Sequence, residues 1–305
     1  MKIGNYSPNY LASAMVTEGM SDILNLDVTQ LTAETEILDT RTLSKVSFGT
    51  GANIVNQYEF ILIPNIGFLS SPDLLIKDCQ LKLKFIRAKP SLAFINVTDT
   101  DVLEELEITN FTATSEFISS PSLRSYLRTD TKPFLYKYED VAVKIFSLPS
   151  SVTNWRIDNV YGGNLPLFIF AGIIETNRLN GDIQKASTKF RINKVEELNI
   201  MVNGVSVNGY PIKLLGASPI KPFHKFLDTT GNLCSVEASQ SLKLSHFIDN
   251  FLWSHKFEAE GSEGSISISG RLKAAYDTPM SLVVWTVYPY AVSVDKYMQV
   301  EKMHL

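Results

Sequence analysis

Histidine, serine, cysteine and paired carboxylates carry most protein chemistry, and their spacing here limits which reactions are open to this chain. The four histidines are His224, His246, His255 and His304. A metal site on a β scaffold needs close imidazoles of the His-x-His kind, with a carboxylate converging on them. No such pair occurs. His246 and His255 are near enough in sequence to share a pocket, but a structural histidine held by its neighbours explains each more simply. No serine sits in Gly-x-Ser-x-Gly, the strained turn that presents a nucleophile. Gly162-Gly163-Asn164 and Gly261-Ser262-Glu263-Gly264 lack the strand-then-helix setting of a phosphate loop and read as turns. The acid pairs Glu104-Glu105 and Glu196-Glu197 suggest glycoside hydrolysis. Adjacent strand residues point to opposite faces, however, so neither pair converges on one substrate. The reading assigns no catalytic residue, no metal ligand and no cofactor, and it predicts a protein that is not an enzyme.

Composition narrows the partners. The 305 residues carry a formal net charge of −4, with 45% hydrophobic and 20% charged side chains. A sequence-independent binder of duplex nucleic acid needs a basic face, so that role is not indicated. The densest basic run, Lys82 to Lys89, alternates charge with apolar residues and reads as the wet side of one strand. Two distant cysteines, Cys79 and Cys234, exclude a disulfide framework. The N-terminal residues have no apolar stretch of signal-peptide length. The run from Leu282 to Val294, interrupted by Thr286, Pro289 and Ser293, is too short to cross a bilayer, and no membrane partner is expected. The glycosylation-like triplets at Asn5, Asn96 and Asn110 are read as chance.

The elements that would position any site are strands. Leu167 to Ile174 and Leu198 to Val207 are β-branched apolar runs separated by a Leu-Asn-Gly-Asp turn, and a third run ends at Lys213. Strands are also expected over Tyr58 to Ile63, Leu74 to Ile86, Ala93 to Val97, Glu105 to Thr114, Leu135 to Leu148, Ser254 to Ala259, Gly264 to Ala275 and Met280 to Val294. Ser119 to Thr131 reads as a connector, and a loop is expected through Asn154 to Asn164. Phe223 to Asp228 and Ser241 to Trp253 have the spacing of short helices. Asn180-Gly181, Asn203-Gly204 and Asn208-Gly209 supply the positive-φ positions of tight reversals. Strand number and spacing predict an all-β jelly-roll sandwich.

Several blocks, in order, resemble the major capsid protein of adintoviruses and Polinton (Maverick) elements, in the double jelly-roll capsid lineage. They are the Leu-Lys-rich run Leu74 to Phe94, the run Lys132 to Leu148, and Asn159-Val-Tyr-Gly-Gly-Asn-Leu-Pro followed by Ala171 to Asp182. Val202-Asn-Gly-Val, Pro211-Ile-Lys, Val283 to Tyr288 and Val294-Asp-Lys complete the series. The similarity covers roughly residues 58 to 298, and it begins near what is the end of the first barrel in that family. The resemblance implies one complete jelly roll plus a reduced or remnant first β domain. The expected division is a polar arm over 1–55, the reduced domain over 56–100, the jelly roll over 101–298 and a tail over 299–305.

The function implied is a structural capsid or capsid-like subunit that self-assembles into an oligomeric shell, with a trimer favoured. Other capsid proteins are further partners, and the virion is the location, after intracellular assembly without secretion. Candidate contact residues are Trp155, Tyr161, Phe223, Phe226 and Trp253. Two alternatives remain open. One is a ligand-binding jelly roll such as a carbohydrate module, which predicts aromatics gathered on one concave face. The other is a domesticated host protein derived from a viral capsid gene.

Overall fold

Strict alternation marks a strand with one buried face, and Ser265-Ile266-Ser267-Ile268-Ser269 shows it most cleanly: both isoleucines are buried in the core. In the computed structural model the described residues are 42–48, 55–60, 82, 84, 112, 133–181, 190, 194–209, 211–213, 219–230, 244, 247, 251–257, 262–295, 297 and 299–304. A separate antiparallel hairpin pairs β1 (Thr42–Phe48) with β2 (Val55–Phe60). The remaining elements run β3 (Phe134–Leu148), β4 (Asn154–Asn164), β5 (Phe168–Glu175), α1 (Thr176–Asn180), β6 (Val195–Val202), β7 (Val205–Ser206) and β8 (Ile212–Lys213). They continue with α2 (Ile220–Thr229), β9 (Trp253–Lys256), β10 (Glu263–Leu272), β11 (Met280–Val294) and β12 (Val300–His304).

Two antiparallel sheets result. One has the order β3-β11-β5-β9, with β12 beside the second half of β11; the other is β4-β10-β6-β7, with β8 also on β6. The chain crosses between sheets at almost every connection, so strands distant in sequence become neighbours. This strand order is that of the eight-strand jelly roll, and the fold is an all-β jelly-roll sandwich.

Register shows how the core forms. Directly paired residues share a face of the sheet, so Trp155, Ile157, Tyr161, Leu198, Ile200, Ile266 and Ile268 lie together on the second sheet. They meet the first sheet where Tyr161 packs edge-on to Tyr288 at 6.4 Å and Lys144 Nζ donates to the Val160 carbonyl at 2.7 Å. The other face of the first sheet bears Phe170, Val283, Trp285 and Val287. It too is covered, with Phe190 against Trp285 and Phe226 of α2 against Phe170. A strand covered on both faces loses its alternation. This is why β11 is buried continuously from Met280 to Val287.

Several expectations are corrected. The loop predicted through Asn154 to Asn164 is strand β4, disguised by Asn159 at φ 52° and Gly163 at φ 100°. Its register against β10 shifts between Ile266 and Ile268, as an irregular strand's does. The predicted tail 299–305 supplies β12, which pairs with β11 from Val294↔Val300 to Tyr290↔His304. The arm predicted over 1–55 contains β1, and the boundary after residue 55 cuts its hairpin. The reversal expected at Asn180-Gly181 is present: it follows directly on α1, with Gly181 in the left-handed region at φ 95°. Lys82, Lys84 and Thr112 are exposed and outside regular elements, unlike the strands expected there. The strand predicted at Ala93 to Val97 and the connector at Ser119 to Thr131 lie outside the described residues, as do His246, Cys79, Cys234 and the pair Glu104-Glu105.

Candidate assembly surface

The five candidate contact residues do not form a surface. Phe226 is 0% exposed and Trp253 1%; both belong to the core, as does Tyr161. Phe226 packs against Phe170 and Phe247 at 6.2 and 5.4 Å, and Trp253 against Phe251 at 4.5 Å. Phe223 and Trp155 are partly buried against the same cluster. Aromatic type alone cannot separate an interface anchor from a core residue, because both bury the same large area. Phe226, Trp253 and Tyr161 are therefore withdrawn as contacts between subunits. Burial pushes the Tyr161 phenol up to about 12.

The exposed apolar side chains lie elsewhere. Six large ones stand out among the described residues: Leu135, Ile145, Val205, Ile220, Tyr297 and Val300. Strand direction points four of them the same way along the molecule, Val205 at the end of the second sheet and the other three on the stretch of β3, β11 and β12 that runs on past β5. β3 begins there with Leu135, β6 turns into β7 at Val205, and β11 turns into β12 between Tyr297 and Val300. Val205 and Tyr297 are each 71% exposed and Val300 66%. The geometry of both turns is held by hydrogen bonds. The Asp295 carboxylate accepts from the backbone N–H groups of Tyr297 and Gln299 at 2.8 Å each. Asn203 sits at φ 51°, and its side chain accepts the Ser265 N–H at 2.9 Å. Sequence reading missed these side chains because single exposed valines in turns carry no periodic signal.

Beyond Val287, the last β11 residue paired with β5, the strand continues between β3 and β12 alone. One face of this three-stranded extension gathers Tyr138, Tyr288, Tyr290 and His304, the aromatic clustering that a carbohydrate module predicts. Lys302 Nζ lies 4.0 Å from the Tyr290 ring centre and 2.8 Å from Asp140. A cation from the chain itself thus covers a Tyr290 face, where a sugar ring would stack. The cluster fastens β12 to β3 and β11.

The other reactive groups are dispersed. His224 is exposed on α2, His255 half-buried on β9 and His304 on β12. No group of three or more His, Cys, Asp or Glu suited to a metal occurs among the described residues. The argument that Glu196 and Glu197 point apart is corrected. The register slips between Arg271 and Leu272, and both carboxylates reach the Arg271 guanidinium, at 3.1 and 3.2 Å. The irregularity turns two adjacent side chains to one side, where they hold a cation. Among the described residues no helix is long and apolar enough to cross a membrane, which leaves strand-based crossing unaddressed.

No protein-family model matches the chain, and no curated protein matches it. Solved structures with a similar course include the mavirus major capsid protein, at 7% identity and a TM-score of 0.38, over 62% of this chain and 44% of that one. The Sputnik virophage structure is similar at 13% identity and a TM-score of 0.36, over 57% and 39%. The PBCV-1 virus capsid is similar at 9% and 0.35, over 60% and 54%. The chain thus spans about half or less of the chains it resembles. The jelly roll stands on strand order, independently of these likenesses.

Proposed function

We propose that the chain is a structural subunit of a capsid-like shell, of the adintovirus and Polinton kind, that associates with copies of itself. The observation that carries this reading is the exposure of two large apolar side chains, Tyr297 and Val300, on the single turn between β11 and β12. Apolar groups displayed together on shaped turns mark an interaction surface, whereas isolated ones need no explanation. The ordered sequence blocks resembling those capsid proteins support the same reading.

The energetics suit a shell. Burial of apolar area yields about 25 cal/mol per Å², and association entropy offsets much of it. Individual contacts can then be weak while a closed assembly, with several contacts per subunit, persists. A trimer is the favoured stoichiometry.

Light scattering across protein concentration and salt, with negative-stain imaging, tests the reading. Oligomers that build into rings or shells are expected. A strict monomer under all conditions overturns it.

A further inference from the structure

Lys225 of α2 and Asn208, in the turn between β7 and β8, meet outside the surfaces described above. Lys225 Nζ donates to Asn208 Oδ1, and 17 residues separate the two. Both side chains are half-buried. The oxygen in contact is one bond from Cγ, so a small movement brings the amine over the carboxamide carbon. Burial lowers the Lys225 pKa, opposed by Asp228 one turn further along α2, and so eases loss of the ammonium proton. His255 of β9 is near enough to feel the Lys225 charge; burial first, and that charge second, bring it down to about 4.

We propose that Lys225 and Asn208 become joined by an intramolecular isopeptide bond. The free amine of Lys225 attacks Cγ of Asn208. The Nζ–Cγ bond forms and the Cγ–Nδ2 bond breaks. One proton passes from Nζ to the departing Nδ2, and ammonia leaves. An amine and a primary amide give a secondary amide and ammonia, so no oxidant, reductant or cofactor is required.

The competing reaction is attack on the same carbon by the Gly209 backbone nitrogen, which would close a succinimide. That nitrogen is engaged, donating to the Ser206 carbonyl at 3.1 Å. The turn thus restrains the rival nucleophile and presents the carboxamide to Lys225.

The link would tie the β7–β8 margin of the second sheet to α2, which packs on the first sheet through Phe226 and Phe170. Such a cross-link acts as a disulfide does, restricting the unfolded chain, but it resists reducing agents. This inference is independent of any role in a shell.

Intact-mass measurement of the full chain, after incubation at mildly alkaline pH, tests it. The expected mass is lower than the sequence mass by one ammonia, with a branched tryptic peptide joining the segments around Asn208 and Lys225. Lys225→Arg and Asn208→Ala should each restore the sequence mass. A wild-type chain at its full sequence mass after prolonged incubation overturns the proposal. So does an ammonia loss that hydrolysis converts to a mass about one dalton above that of the sequence, with Lys225 still cleavable, the mark of a succinimide opening to aspartate or isoaspartate. Both outcomes are read from the wild type, so a variant that fails to fold does not blunt the test.

Discussion

Trp155 lies across Gly270, its directly paired partner on the neighbouring strand, so closely that a Cβ at Gly270 would come within 2.3 Å of the indole. The glycine is required for its missing side chain rather than for its φ angle. Gly270→Ala should displace the indole and destabilise the barrel by about 1–3 kcal/mol, the usual cost of overpacking. Gly162→Ala on β4, where an added Cβ meets nothing within 4 Å, is the matched control and should be close to neutral. Urea unfolding of both variants checks this. Equal loss in the two would mean that strand propensity, not the Trp155 contact, decides the effect.

Acid should destabilise the fold through His255. Its pKa falls from 6.5 to about 4 on folding, mainly because burial penalises the imidazolium and secondarily because Lys225 repels it. A depressed folded-state value means that the stability is fully present above about pH 6.5 and lost as pH falls toward about 4. The contribution is up to ~3 kcal/mol, reduced to the extent that water still reaches the ring. His255→Gln should flatten the Tm profile in this window. A profile for that variant parallel to the wild type would remove His255 as the cause.

Much of the barrel was legible in sequence where a strand has one wet face or a continuous apolar run. β11 and most of β3 follow directly from such patterns. The misreadings share a cause: local irregularity that pattern alone hides. Asn159 and Gly163 made β4 look like a loop, and the slip opposite Arg271 turned Glu196 and Glu197 to one side. β12 was missed because five residues with three exposed carry no amphipathic signal. The burial of the candidate contact residues was illegible for another reason. Burial of Phe226 and Trp253 depends on tertiary contacts with Phe170, Phe247 and Phe251, which no local spacing encodes.

Removing the Lys302 side chain should loosen β12. The amine is paired with Asp140 at 2.8 Å and lies over Tyr290, but the side chain is about half exposed, so roughly 0.5–1.5 kcal/mol is expected. Lys302→Met should raise amide exchange selectively over Val300–His304. Added salt should narrow its difference from the wild type, because the ion pair is screened while the aliphatic stem is retained. Exchange that rises equally across β5 would instead point to global destabilisation.

Phe226→Ala should cost about 3–5 kcal/mol, because it empties a fully buried aromatic site that collapses poorly. Tyr297→Ser with Val300→Ser should leave unfolding almost unchanged, since both side chains are largely exposed. The two sets of changes therefore separate folding from association. Under the shell reading the turn double variant should sediment as smaller species at concentrations where the wild type assembles. Wild-type assembly that survives the double change would place the contacts elsewhere on the barrel, while loss of assembly with Tm intact would assign them to the β11–β12 turn. Only partners touching this turn respond to both residues together, so each single variant should show an intermediate loss.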